Sequence, residues 1–316
     1  MLRLILVGFA ILLSPASASA QISIERYQQL DQRFQDVGWR LVRGNAPFCD
    51  QVIASIGLQL QDIASYGRPA IARSALGLEG DFAVQTAAQG SPSAQDGSFA
   101  TNREVTRIGK LDPNAWPAEE RLDPLRLKRA HDHIDAVLGE EGQIAITFAD
   151  RTSAQVAPVP VCASRFVLVG DSKEARADGR RVWLGTDFPA FAYDEEVFAG
   201  VVAHELAHNL LGHTAWLNRN GRRQSNLRRT EKEADRLMPW LLANAGYDPR
   251  AAQTFIEIWG PRHGGGLFRK RSHDGWDERA EFIAAELPQI HALMADTGKA
   301  DWRAHFRREI DPQEGQ

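Results

Sequence analysis

Apolar residues change their spacing several times along this chain, and each change marks a different kind of structure. Ile24, Tyr27, Leu30, Phe34, Val37 and Leu41 recur every three or four positions, the period of a helix with one buried face, and Gly44-Asn45 ends the run. From about 50 to 162 the apolar stretches shorten and glycine turns separate them. Phe82–Gln85, Val105–Ile108, Ile144–Phe148 and Ala154–Val161 read as strands, and Asp123-Pro124 opens a helix to about Leu138. Phe166–Val169 and Arg181–Gly185 are further strand patterns. The helical period then returns. Asp194 is a good cap, Glu195 and Glu196 suit the positive end of the helix dipole, and Val197, Val201, His204, His208 and Leu211 follow on one stripe. Asp248-Pro249 starts a helix that reaches Trp259, and helix resumes at Asp277. The pattern predicts an α+β chain: an amphipathic helix within 21–49, a small β-rich unit over 50–162 and a mainly helical unit over 163–316.

The 316 residues, 43% apolar and 25% charged, have room for about two globular domains, and a net charge of −4 gives no reason to expect a nucleic-acid partner. Residues 1–20 combine Arg3, an apolar run from Leu4 to Leu13 and a small-residue Ala18-Ser19-Ala20 ending, the make-up of a cleaved signal peptide; a retained anchor is the alternative. No later stretch approaches the length of a transmembrane helix, so the expectation is an exported protein without an integral membrane segment, periplasmic if its host is a Gram-negative bacterium. Export permits a disulfide between Cys49 and Cys162, with two buried free thiols as the alternative.

The run from His204 to His213 brings in the chemistry. Four residues along a helix is a rise of about 6 Å and a rotation of about 40°, so His204 and His208 can aim at one tetrahedral zinc ion. Glu205 lies roughly 60° round from His208, placed to reach a water on the open metal position as general base. A pair of satisfied core histidines is the plainer alternative. Leu211 and Thr214 stand where a metzincin needs Gly and His, so that class is excluded. His213, about 140° from His208 on a continuing helix, reads as a helix-end residue. A third ligand then has to come from a second helix. Glu231 and Asp235 share a face there, with Glu231 able to bind zinc and Asp235 able to accept the spare N–H of a zinc histidine. Glu233, about 200° from Glu231, fits a capping box with Thr230. Arg219, Arg222, Arg223, Arg228 and Arg229 read as a solvated loop between the two ligand helices, with an acidic-lipid contact as the alternative. His131 and His133 read as surface residues.

With these residues in place the chain resembles peptidase family forty-eight, the HtpX-like and CAAX prenyl protease-like gluzincins. The likeness covers roughly 165–290 and rests on Ala177-Asp178-Gly179 before a strand, the His204–His213 run, and Glu231 through Arg236. Ala245 through Ala252, and Ser272-His273 with Arg279, complete it. Asp274 departs from it, since members usually carry Pro there. The resemblance implies a zinc metalloendopeptidase with one Zn2+ per chain. His204, His208 and Glu231 would be ligands, Glu205 the catalytic base, and His273 either an oxyanion donor or a gating fourth ligand. Asp235 and Arg279 would back the ligands, and Val182, Trp183, Leu184 and Gly185 would form the edge strand that pairs with a protein or peptide substrate. The Gly90–Gly97 stretch resembles the segment after the peptide-binding strand of a PDZ domain, implying an envelope protein partner captured by strand addition; a module that only braces the peptidase is the alternative. The rival function is a substrate-holding or assembly factor whose zinc is structural, closed by four protein ligands.

Overall fold

A computed structural model describes residues 23–118, 124–263 and 275–311. The signal-peptide expectation for 1–20 and both roles expected of His273 fall outside the described residues. Helix α1 (Ile24–Asn45) leads, capped by the Ser23 hydroxyl, which accepts from the Arg26 N–H. The β-rich half follows as β1 (Val52–Ser55), β2 (Leu58–Asp62), α2 (Pro69–Leu76), β3 (Phe82–Ala87), α3 (Pro92–Asp96), β4 (Val105–Ile108), α4 (Leu125–Glu141), β5 (Ile144–Phe148), β6 (Ser153–Val156) and β7 (Val159–Cys162). The helical half contains β8 (Arg165–Val169), β9 (Ala175–Ala177), β10 (Arg181–Gly185), α5 (Glu195–Leu210), α6 (His213–Asn220), α7 (Gln224–Asn244), α8 (Ala251–His263), α9 (Trp276–Thr297) and α10 (Trp302–His305).

Two apolar cores underlie this division. In one, Phe34, Val37 and Leu41 of α1 pack with Phe198 and Val202 of α5 and Leu237 and Leu241 of α7. In the other, Leu60, Phe82, Ile146 and Phe148 pack against Ile134 and Leu138 of α4. By packing, then, α1 belongs to the helical half although the β half separates it in sequence. The chain crosses between halves at one place. Cys49 and Cys162 are disulfide-bonded there with Cα atoms 5.6 Å apart, as expected, and β1 and β7 run on from the bond as an antiparallel ribbon. Within the β half, β2 pairs with β3 and β4-β5-β6 form a three-stranded sheet. No helix among the described residues is long and apolar enough to cross a membrane.

Several local expectations need correction. Ala154–Val161 is two strands, broken at Ala157-Pro158, where proline has no N–H to give a ladder. The arginine-rich stretch is helical apart from 221–223, because Leu227 packs against Trp216, Leu217 and Ile310 and draws the chain into α7 six residues before Thr230. Thr230 is therefore no cap; its hydroxyl donates to the Leu227 carbonyl inside the helix. Val182–Gly185 is not an edge. It lies in β10, the middle strand of β8-β10-β9, with parallel β8 on one side and antiparallel β9 on the other, so the outer strands of this sheet are β8 and β9. His131 is not on the surface: it is buried between α4 and β2, and its Nε2 accepts from the Leu60 N–H at 3.0 Å.

Candidate metal centre

Helix α5 starts as its sequence dictates, with Asp194 Oδ1 accepting from the Val197 N–H at 2.9 Å and two glutamates in the first turn. Its far end carries His204 and His208. Helix α7 crosses it and supplies Glu231. The three converge: His204 Nε2 lies 3.3 Å from His208 Nε2 and 3.3 Å from Glu231 Oε2, and His208 Nε2 lies 3.6 Å from Glu231 Oε1. Among the described residues this is the cluster of ligand atoms able to hold a metal ion. Two metal–ligand bonds of about 2.0–2.1 Å meeting at a tetrahedral angle place their donor atoms roughly 3.3–3.4 Å apart, so the spacing fits a small tetrahedral cation. Glu205, half-buried, sits one residue beyond His204 on the same helix.

Each histidine is backed on its other nitrogen. His204 Nδ1 lies 3.1 Å from Asp235 Oδ1, one turn beyond Glu231 as the sequence indicated. Asp235 is fully buried and accepts two bonds from Arg279 of α9, from Nε at 2.6 Å and Nη2 at 2.8 Å. Burial alone would raise its pKa, yet the Arg279 charge and hydrogen bonds hold it down to about 2. Burial likewise favours neutral His204, but Asp235 and Glu231 outweigh it and lift the imidazole to about 10. Two carboxylates, Glu231 and Asp235, within 3.3 Å of one buried imidazole make the site rich in negative charge, the condition a divalent cation requires.

The backing of His208 was not foreseen. Helix α5 stops at Leu210, and Gly212, at φ 69°, turns the chain so that α6 begins with His213 folded back under His208. The rotation reckoned for a continuous helix therefore does not apply. His213 Nδ1 lies 2.9 Å from His208 Nδ1, and its Nε2 lies 3.0 Å from Glu233 Oε2. Glu233 points away from the cluster, as its angle from Glu231 requires, and is wholly buried. Burial pushes His213 down to about 4, so the ring is neutral at physiological pH.

The sheet borders the same site. Asn209 accepts from the Gly179 N–H at 2.7 Å and donates to Ser164 at 3.0 Å, tying the β9–β10 turn to the residue after His208. Asp178 accepts from Trp183 Nε1 at 2.7 Å, which locks the turn. No protein-family model matches the chain, and no curated protein matches it.

Proposed function

We propose that this chain is an exported zinc metalloendopeptidase that hydrolyses peptide bonds of envelope or misfolded proteins. The observation that carries the reading is the convergence of His204 Nε2 and His208 Nε2, 3.3 Å apart, on the Glu231 carboxylate, whose Oε2 lies 3.3 Å from the first and whose Oε1 lies 3.6 Å from the second, with a second carboxylate, Glu205, next in sequence to the first ligand. When bound, zinc supplies Lewis acidity to a carbonyl oxygen and lowers the pKa of a water. Glu205 would accept a proton from the attacking water at a carboxylate oxygen and return it to the amine nitrogen as the C–N bond breaks; one water is consumed and two chain ends form. Asp235, clamped by Arg279, keeps the His204 ring oriented throughout. As an outer strand of its sheet, β9 is where an extended substrate would add backbone hydrogen bonds.

For the β half we favour a bracing role over peptide capture at β2. Helix α4 lies along β1 and β2, and His131 already occupies the Leu60 N–H that an added strand would need. Zinc stoichiometry of the purified protein, together with cleavage of casein by wild type and by Glu205→Gln, tests the proposal. Retained zinc with lost cleavage supports it; equal cleavage by both proteins refutes it, and metal-loaded wild type that cleaves nothing leaves the structural-zinc rival standing.

A further inference from the structure

The polar chain behind His208 does not end at His213. Glu233 Oε2 accepts from Arg308 Nε at 3.0 Å, and Glu233 Oε1 accepts from the backbone N–H groups of Glu309 and Ile310 at 2.6 and 2.8 Å. Arg308 also donates to the Leu211 carbonyl at 3.1 Å, at the C-terminal end of the helix that bears both histidines. Ile310 packs on Trp216 and Leu217, an apolar seat that holds this last segment against α6. Four separate stretches of chain, α5, α6, α7 and residues 308–310, thus meet in one line of hydrogen bonds, centred on the buried His213 and Glu233, that finishes on a cluster histidine.

We infer that His213 and Glu233 are positioning residues for His208, and that the C-terminal segment 308–310 anchors them and so sets the metal affinity of the site. The inference rests on the metal-site reading above, but not on peptidase activity. The directions of the hydrogen bonds follow from the ligand role of His208 and the donors present. A metal-ligating His208 keeps Nε2 bare and so carries its proton on Nδ1, which His213 must accept at a bare Nδ1; the one proton of the His213 ring then sits on Nε2 and is donated to Glu233, whose carboxylate oxygens only accept. The His208 Nε2 lone pair is thus left facing His204 and Glu231, the tautomer a metal ligand needs. One carboxylate, itself fixed by backbone N–H groups and an arginine, thereby supports the ligand tautomer of a ring two residues along the line.

Glu233→Gln tests this with little change of shape. The two backbone N–H groups cannot move and hold the amide oxygen, while the partly exposed Arg308 side chain can turn away, so the amide nitrogen faces His213 and forces a proton onto its Nδ1, donor against donor at His208. Zinc affinity, measured by chelator competition, should fall about 10- to 100-fold. His213→Phe, which fills the space without a polar atom, should fall by a similar factor. His213→Asn, whose side-chain oxygen can stand near Nδ1, should recover most of the loss. Nitrogen-15 spectra of imidazole tautomers should show His213 as the Nε2–H form in the zinc-loaded wild type and not in Glu233→Gln. If His213→Phe fails to fold, the other two variants decide. Wild-type zinc affinity in Glu233→Gln, or an Nδ1–H tautomer of His213 in the wild type, overturns the inference. If affinities shift as stated while wild type cleaves no casein, the relay stands and the peptidase reading falls.

Discussion

Two buried histidines on two helices meet opposite fates in the two halves of this molecule. In the β half, His131 faces a strand; burial presses its pKa well below the ordinary value, Arg165 and Arg181 press the same way, and its acceptor nitrogen caps one backbone N–H. In the helical half, His204 faces Asp235 and Glu231, which lift it to about 10. Neither burial nor a helix sets a histidine apart as a candidate ligand. The neighbouring carboxylates separate the two rings, and a ring used up on the backbone has no lone pair left for a metal.

The strongest way to break the contrast is to exchange consequences across it. His208→Ala should leave the purified protein without zinc, and Glu205→Gln should keep the metal while turnover falls about 10²- to 10⁴-fold, read by metal analysis and casein cleavage. The next effect lies at the boundary between the halves. Replacing Cys49 and Cys162 by alanine opens a loop with a sequence separation of 113 and should lower unfolding free energy by up to about 4 to 5 kcal/mol in denaturant titration. His131→Phe strands the Leu60 N–H and should cost about 1–3 kcal/mol with zinc content unchanged; loss of zinc in this variant would merge what is separated here.

The smallest expected effect concerns Asp31, on the face of α1 that meets β3. Burial raises its pKa to about 6, partly offset by hydrogen bonds from Gln35 and Gln85. The folded protein therefore holds this proton more tightly than the unfolded chain, and stability falls as pH rises from about 4 to about 6, staying lower above. Asp31→Asn should gain on the order of 1 kcal/mol at pH 8 and nothing near pH 4. A gain that is the same at both pH values would show that Asp31 is not the group responsible.

Much of this was legible locally. Asp194, the glutamates after it and the apolar stripe mark α5, and Val105–Ile108, Ile144–Phe148 and Arg181–Gly185 match their strands end to end. The cluster was legible too, since helical periodicity alone puts His204 and His208 together and sets Glu233 apart from Glu231. What escaped depends on contacts distant in sequence. That β10 lies between two neighbours is decided by a parallel partner from before the site and an antiparallel one beside it. Leu227 is a lone apolar residue among arginines until Trp216 and Ile310 meet it. For His213 one signal was present: a glycine between two histidines five apart permits a reversal, although only Glu233 and residues 308–310 show where the reversed ring points.

The paired attachment at Cys49 and Cys162 makes the helical half discontinuous in sequence but whole in space. A gap of 5.6 Å between Cα atoms is one that about one or two residues can bridge, so the β half is inserted into the helical half without widening it. A module fastened by both its ends and a covalent bond cannot swivel as one on a single linker does. Any load it takes up is shared among the disulfide, the run of chain from β7 into β8, and the contacts that Gln28, Asp31 and Asp36 of α1 make with the β half.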